Sequence, residues 1–184
     1  MKSVIIAIVL MVTSQLAVGQ KYFSKTGKIS FFSDAPMEKI EAHNTTASTV
    51  LDAGTGNLEW AVLIQGFKFE KALMQEHFNE NYMESETYPK AKFKGKIDNI
   101  SSVNFKKDGD YNVNVSGQME IHGVTKPVNA TGVISVKGSS VTAKSKFSIA
   151  VADYGIEIPK VVADNIAKTV DIHVQADYQA MPSN

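Results

Sequence analysis

From residue 57 to the C-terminal region, the chain repeatedly alternates apolar and polar residues with period two. In "DYNVNVSGQMEIHG", Tyr111, Val113, Val115, Gly117, Met119 and Ile121 share one parity, while Asn112, Asn114, Ser116, Gln118 and Glu120 share the other. Successive side chains of a strand point to opposite faces, so this segment reads as a long strand with one wet side. "SSVTAKSKFSIAV" sets Val141, Ala143, Ser145, Phe147 and Ile149 against Thr142, Lys144, Lys146 and Ser148. "TVDIHVQADY" sets Val170, Ile172, Val174, Ala176 and Tyr178 against Asp171, His173, Gln175 and Asp177. "NLEWAVLIQ" gathers Leu58, Trp60, Val62 and Ile64 on one face. "YPKAKFKGKIDNI" turns Ala91, Phe93, Gly95 and Ile97 inward and a ladder of Lys90, Lys92, Lys94 and Lys96 outward. Weaker strands are predicted at 28–32, 38–44, 47–52 and 127–137, separated by turns containing Gly and Asp.

One segment departs from this period. "FEKALMQEHFNENYMESE" (69–86) is rich in helix formers and spaces Met74, Phe78 and Tyr82 four apart, with Leu73 beside them. It predicts a short amphipathic helix between two strands. The stripe fits either a core plug or an adaptable lid over a barrel mouth, since methionine accommodates variable apolar partners. "VVADNI" (161–166) predicts a second, weaker helical turn. Eight or so long one-sided strands predict an all-β fold, an extended antiparallel barrel of about eight strands. A sandwich would share the alternation. The inward parity, however, carries small residues, among them Ala91, Gly95, Gly117, Ala130, Gly132, Ala143, Ser145 and Ala176. These mark sharp bends of a barrel wall or leave volume for a guest.

Charge changes the picture in one respect. Nineteen lysines balance nineteen acids, and the chain of 184 residues contains no arginine. No basic excess exists to hold nucleic acid. The planar fork that grips phosphate or carboxylate in two places is missing. Lysines two apart on a strand sit roughly 7 Å from one another, so the ladder is a solvated, salt-screened wall that discourages edge pairing. The same ladder also admits transient contact with a membrane surface. Cysteine is absent, so neither disulfides nor thiol lipidation enter. Lys2, the apolar run Val4 to Val12 and the small residues Ala17 and Gly19 have the layout of a secretory signal peptide. The expected organisation is a signal peptide over 1–19 and one domain over 20–184, periplasmic or secreted.

Candidate chemistry is sparse. The four histidines, His43, His77, His122 and His173, show no metal-site spacing, and His77 with Glu80 reads as a helix-surface pair. His122 is expected to bond to the tight turn at Gly123, and His173 to face solvent. Glu84 with Glu86, and Asp108 with Asp110, fall in hydrophilic stretches rather than buried pairs. No nucleophile signature or phosphate-cradling glycine loop occurs. The sequence therefore predicts no catalytic residue, no metal and no cofactor. Asn44, Asn99 and Asn129 each open a glycan-acceptor triplet.

Two stretches bear a resemblance. "VSGQMEIHGVTKPVNATGVI" (115–134) resembles the strand–Gly–turn signature of the YceI-like, polyisoprenoid-binding family. "EHFNENYMESETYPKAKFKG" (76–95) resembles that family's His-bearing helical segment followed by Tyr-Pro and an alternating strand. The resemblance implies a lipocalin-like barrel, exported and non-catalytic, that encloses an isoprenoid or similar amphiphile. Two departures stand out: "TGKISFFSDAP" (26–36) lacks the family's His-containing opening, and "VADYGIE" matches the family at Asp153 and Gly155, with Tyr154 replacing an aromatic and the arginine gone. A neutral headgroup such as a quinone ring is then expected over a diphosphate. On this reading the ligand meets Trp60, Val62, Ile64, Phe93, Ile97, Val113, Val115, Met119, Ala143, Phe147 and Ile149 from the wall. Met74, Phe78 and Tyr82 meet it from the helix, and Tyr154 from the matched stretch. The rival readings are an envelope interaction or stress module with a filled barrel, and an enzyme.

Overall fold

A computed structural model describes residues 19–182; the expected signal segment, apart from Gly19, lies outside them. The strands are β1 (Lys21–Asp34), β2 (Lys39–Asp52), β3 (Asn57–Leu63), β4 (Lys68–Phe69), β5 (Lys90–Ile97), β6 (Gly109–Ile121), β7 (Val124–Lys137), β8 (Ser140–Ala150) and β9 (Thr169–Ala180). Every pairing is antiparallel, in the order β1-β9-β8-β7-β6-β5-β3-β2, and β1 pairs with β2 to complete the ring. Eight strands thus make a closed barrel, with the two-residue β4 extending the wall beside β2. Helix α1 (Ala72–His77) continues through a π turn to Tyr82 between β4 and β5.

The strongly alternating strands fall where their parity places them. β1 and β2 are longer than the sequence suggests. β1 carries Ser24, Gly27 and Ser33 on its buried side and the consecutive pair Phe31-Phe32, which hides its period. The segments 38–44 and 47–52 are one strand, kinked where β1 and β2 change register near Gly27. The Asn44 side chain holds that kink. Its Oδ1 accepts from the Thr46 N–H (2.8 Å) and hydroxyl (3.0 Å), and its Nδ2 donates to the Leu63 carbonyl (3.1 Å). Asn44 is buried, so its acceptor triplet is closed to a glycan in the folded protein. The helical turn expected over 161–166 is a 3₁₀ turn at Lys160–Val162.

The lysine ladder faces outward, but it is not a bare cationic wall. Lys92 meets Glu120 (3.1 Å), Lys94 meets Glu59 (3.6 Å) and Lys96 meets Asp98 (3.9 Å). Exposed pairs of this kind add little stability, about 0–1 kcal/mol each, yet they cancel much of the local field.

One end of the barrel is solid. Leu51, Ile97, Val113, Ile134, Val141 and Tyr178 pack together there, and Val103 from the β5–β6 connection joins them. Phe105 from the same connection stacks on Tyr22 at 5.3 Å and stoppers that end. Within this core the Tyr178 hydroxyl and Thr49 Oγ1 share a buried hydrogen bond of 2.9 Å. Burial pushes the Tyr178 pKa up to about 12, against the smaller lowering by Thr49. The unfolded phenol ionises near about 10, so above that pH the unfolded chain loses its proton first. The stabilisation is complete below pH ~10, and roughly 2–3 kcal/mol is lost as the pH climbs toward ~12. Denaturant unfolding across this window should show that fall, and Tyr178→Phe should flatten it.

Candidate functional site

The other end is hollow. Above the packed half lies a cavity of about 410 Å³ with an overwhelmingly apolar wall, within the range of roughly 300–1,000 Å³ typical of sites for small organic molecules. β1 contributes Ile29 and Phe31, β6 Val115 and Met119, β7 Val128 and Ala130, and β9 Ile172 and Val174. The alternating parity of each strand is the reason: one face supplies lining and the other the solvated exterior.

The mouth is built by three segments outside the main wall. The helix turns Met74, Phe78 and Tyr82 onto the cavity. Phe78 anchors it among Phe31 (5.4 Å between ring centroids), Phe69 (5.0 Å) and Phe67 (5.8 Å). The helix thus caps one side of the mouth and does not plug the barrel. The stretch between β8 and β9 caps the other side with Val151, Ile156, Ile158, Val162 and Ile166. The β1–β2 turn completes the rim with Glu38.

Of the residues expected to meet a ligand, Trp60, Val62, Ile64, Met74, Phe78, Tyr82, Phe93, Val115, Met119, Phe147 and Ile149 all line this cavity. Four do not. Ile97 and Val113 belong to the packed core, and Ala143 packs against it beside a small void of about 40 Å³. Their parity is inward as expected, but they lie too deep. Tyr154 is buried in a separate cluster with Ile64, Met83 and Ile121. The lining from Ile29, Phe31, Ile172 and Val174, and from Ile156 to Ile166, was absent from the expected set. The β9 parity already pointed to Ile172 and Val174. The bridging stretch offered only irregularly spaced isoleucines and valines.

Polar groups are few and gather at the mouth: Ser33, Glu38, His77 and Asn165. Glu38 faces Lys71 at 3.0 Å, and the Ser33 hydroxyl accepts the Ala167 N–H at 2.8 Å. Deeper in, Ser145 donates to the Thr131 carbonyl at 2.6 Å, so its hydroxyl is already satisfied. Lys92, which borders the cavity, extends its ammonium to Glu120 on the outer face. Among the described residues no group of three or more His, Asp or Glu is placed to hold a metal ion.

His122 departs from its expected role. It occupies the two-residue β6–β7 hairpin with φ of 51°, followed by Gly123 at 73°, the left-handed pair of a type I′ turn. The ring does not brace Gly123; Nδ1 reaches the Tyr154 carbonyl at 3.2 Å, and Nε2 lies 3.6 Å from Glu84 Oε1. Gly123 is held instead against the Tyr88 ring, which a Cβ there would meet at 2.6 Å. His122 therefore ties together the hairpin, the segment after the helix and the start of the 151–168 stretch. His173, on the outer face, packs on Phe32 at 4.6 Å between ring centroids.

The comparisons agree with this architecture. A polyisoprenoid binding domain from Saccharophagus degradans, implicated in plant cell wall breakdown, superposes with a TM-score of 0.75. It shares 16% identity over 89% of this chain and 99% of that one. BcnA of Burkholderia cenocepacia gives 0.67 at 19% identity, covering 82% of this chain and 96% of that one. A YCEI protein of Campylobacter jejuni gives 0.55 at 14% identity, covering 77% and 85%. These likenesses concern the fold. A search of curated proteins gave no significant match. The YceI-like domain profile matches residues 13–178, which contain the barrel strands almost entire, the capping helix and the hairpin carrying His122; the chain belongs to the YceI-like domain family.

Proposed function

We propose that the protein is an exported carrier that encloses the apolar part of a long-chain amphiphile in the hollow half of its barrel. The observation that carries this reading is the apolar cavity of about 410 Å³, closed below by a packed core and bordered at its mouth by the helix, the β1–β2 turn and the 151–168 stretch. Burying a methylene contributes about 0.8 kcal/mol, so a tail of several isoprene units would bind at micromolar or better affinity after the ordering costs. The chemistry is burial rather than catalysis. Membership of a family with a polyisoprenoid-binding structural relative supports an isoprenoid-like cargo.

The headgroup would rest at the mouth, where Glu38, His77 and Asn165 offer hydrogen bonds and, among the described residues, no ammonium group points inward. That lining suits a neutral polar head, such as a quinone ring, better than a diphosphate. The test is native mass spectrometry of the protein purified without detergent, followed by organic extraction. One apolar molecule per chain is expected, released on unfolding. A protein that is empty as purified, and that takes up no long-chain fluorescent fatty acid, would defeat the reading.

A further inference from the structure

Val161, Met37 and Leu73 are the three most exposed large apolar side chains among the described residues, at 91, 73 and 60% exposure. They come from three segments distant in sequence, and all three stand on the rim of the mouth. The Met37 N–H donates to the Asp164 carbonyl at 3.0 Å, so the β1–β2 turn touches the 151–168 stretch. Lys71 reaches Glu38 at 3.0 Å, fastening the helix start to the same turn. Each exposed residue is the chain neighbour of one that lines the cavity: Glu38, Met74 and Val162. The rim thus turns one side chain inward and the next outward at all three places. Single exposed apolar residues are ordinary on protein surfaces; the largest exposures gathered round one opening are not.

We propose that this rim docks on a lipid bilayer, with Met37, Leu73 and Val161 entering the boundary between headgroups and acyl chains. A protein partner fits the rim poorly. Specific protein interfaces cover about 800 Å² per partner with a continuous apolar centre. Here three separate side chains project from a strand turn, the helix and a 3₁₀ turn, with the charged residues Glu38, Lys39, Lys71 and Asp164 in the same segments. Three shallow wedges match interfacial insertion, which needs only a modest apolar area at the headgroup boundary. Two of the rim lysines are ion-paired, Lys39 with Asp34 at 3.4 Å and Lys71 with Glu38. Docking is therefore driven by apolar insertion and does not require anionic lipid. The ion-paired lysine ladder on the side wall is not the contact. Geometry adds a polarity: Gln20 joins the far, closed end, where its carbonyl accepts the Ala53 N–H at 3.0 Å, so Gln20 lies on the side away from a docked bilayer. The consequence for cargo, direct passage between bilayer and cavity without crossing water, rests on the carrier reading; the docking itself does not.

The experiment is flotation of the purified protein with neutral phosphatidylcholine vesicles at about 0.1 and about 0.5 M salt, which spans strong changes in screening. It is repeated with the triple variant Met37→Ser, Leu73→Ser, Val161→Ser. These side chains are exposed, so the variant should melt with the wild type. Wild type should float at both salt concentrations, and the variant about tenfold less. A wild type that stays in solution, or floats only on anionic vesicles at low salt, would overturn the proposal. So would a variant that floats undiminished. Concentration-dependent dimerisation abolished by the triple change would assign the rim to a second copy instead. Uptake of a fluorescent fatty acid, measured without vesicles, separates the two readings: normal uptake with lost flotation in the triple variant supports docking, while flotation of the wild type without uptake leaves docking standing and defeats the carrier.

Discussion

Gly117→Ala should destabilise the barrel by about 1–3 kcal/mol, toward the upper end of that range for overpacking a wall that cannot yield. Gly117 and Gly95 face each other directly across β6 and β5. A Cβ on Gly117 would lie 2.6 Å from the Gly95 Cα, from the Lys94 carbonyl oxygen and from the tip of the Phe93 ring. A Cβ on Gly95 would meet the Ser116 carbonyl oxygen and the Gly117 Cα. A ring tip can swing aside; paired backbones cannot separate without breaking ladder hydrogen bonds. The glycine pair lets two strands approach closely while the Phe93 ring lies over them, covering backbone that has no side chain of its own. For a domain of this size the expected drop in melting temperature is roughly 2–4 °C per kcal/mol. The double variant Gly117→Ala, Phe93→Leu distinguishes the causes. If the ring alone were obstructed, the second change would restore the melt; on the backbone argument it will not. A single variant that melts with the wild type would show that the strands part freely at this point.

Much of this architecture was legible because one side of each strand is buried. β3, β5, β6, β8 and β9 each alternate cleanly, and a one-residue slip would turn every apolar group to water, so their facing is strongly specified. The helix was legible from Met74, Phe78 and Tyr82, whose four-residue spacing puts them on the face that meets the cavity. β1 and β2 were less so. Their inward residues include Ser33, Asn44 and Thr49, polar groups that become acceptable only once Ala167, Leu63 and Tyr178 arrive as partners from elsewhere in the chain. The same reasoning explains Ile97, Val113 and Ala143. Parity states which face a side chain takes, but β5, β6 and β8, of 8, 13 and 11 residues, run far along the barrel. Whether an inward residue meets cavity or core depends on depth, and depth is fixed by distant elements: Val103 and Phe105 fill one end, while Phe78 and Ile156 roof the other. The stretch 151–168 carries no regular period at all, so its role as a roof comes from its anchors, Tyr154 bonded by His122 and Ala167 bonded by Ser33.

Ala130→Leu and Ala143→Leu, the same substitution on the inward parity of neighbouring strands, should give opposite results. Ala130 pairs with Val115 across β7 and β6 and borders the cavity. Three added carbons there enter empty space, so the melt should hold or rise slightly. A bound tail would lose contact for about three methylenes, near 2.4 kcal/mol or roughly fiftyfold in affinity. Ala143 pairs with Ile134 and Ala176 at the packed end, where the adjoining void is only about 40 Å³. Leucine at that position overpacks the core, costing about 1–3 kcal/mol, while the cavity above keeps its shape and its affinity. Trp60, the chain's single tryptophan, borders both the cavity and the small void. Its fluorescence reports uptake of a long-chain fatty acid in all three proteins, and thermal melting reports stability. If Ala130→Leu melted lower and bound normally, the upper half would be as filled as the lower, and the carrier reading would give way to an interaction module with a solid barrel. If Ala143→Leu lost binding instead, the ligand would reach past Trp60 into the core, and the floor drawn at Val113 and Ile97 would lie too high.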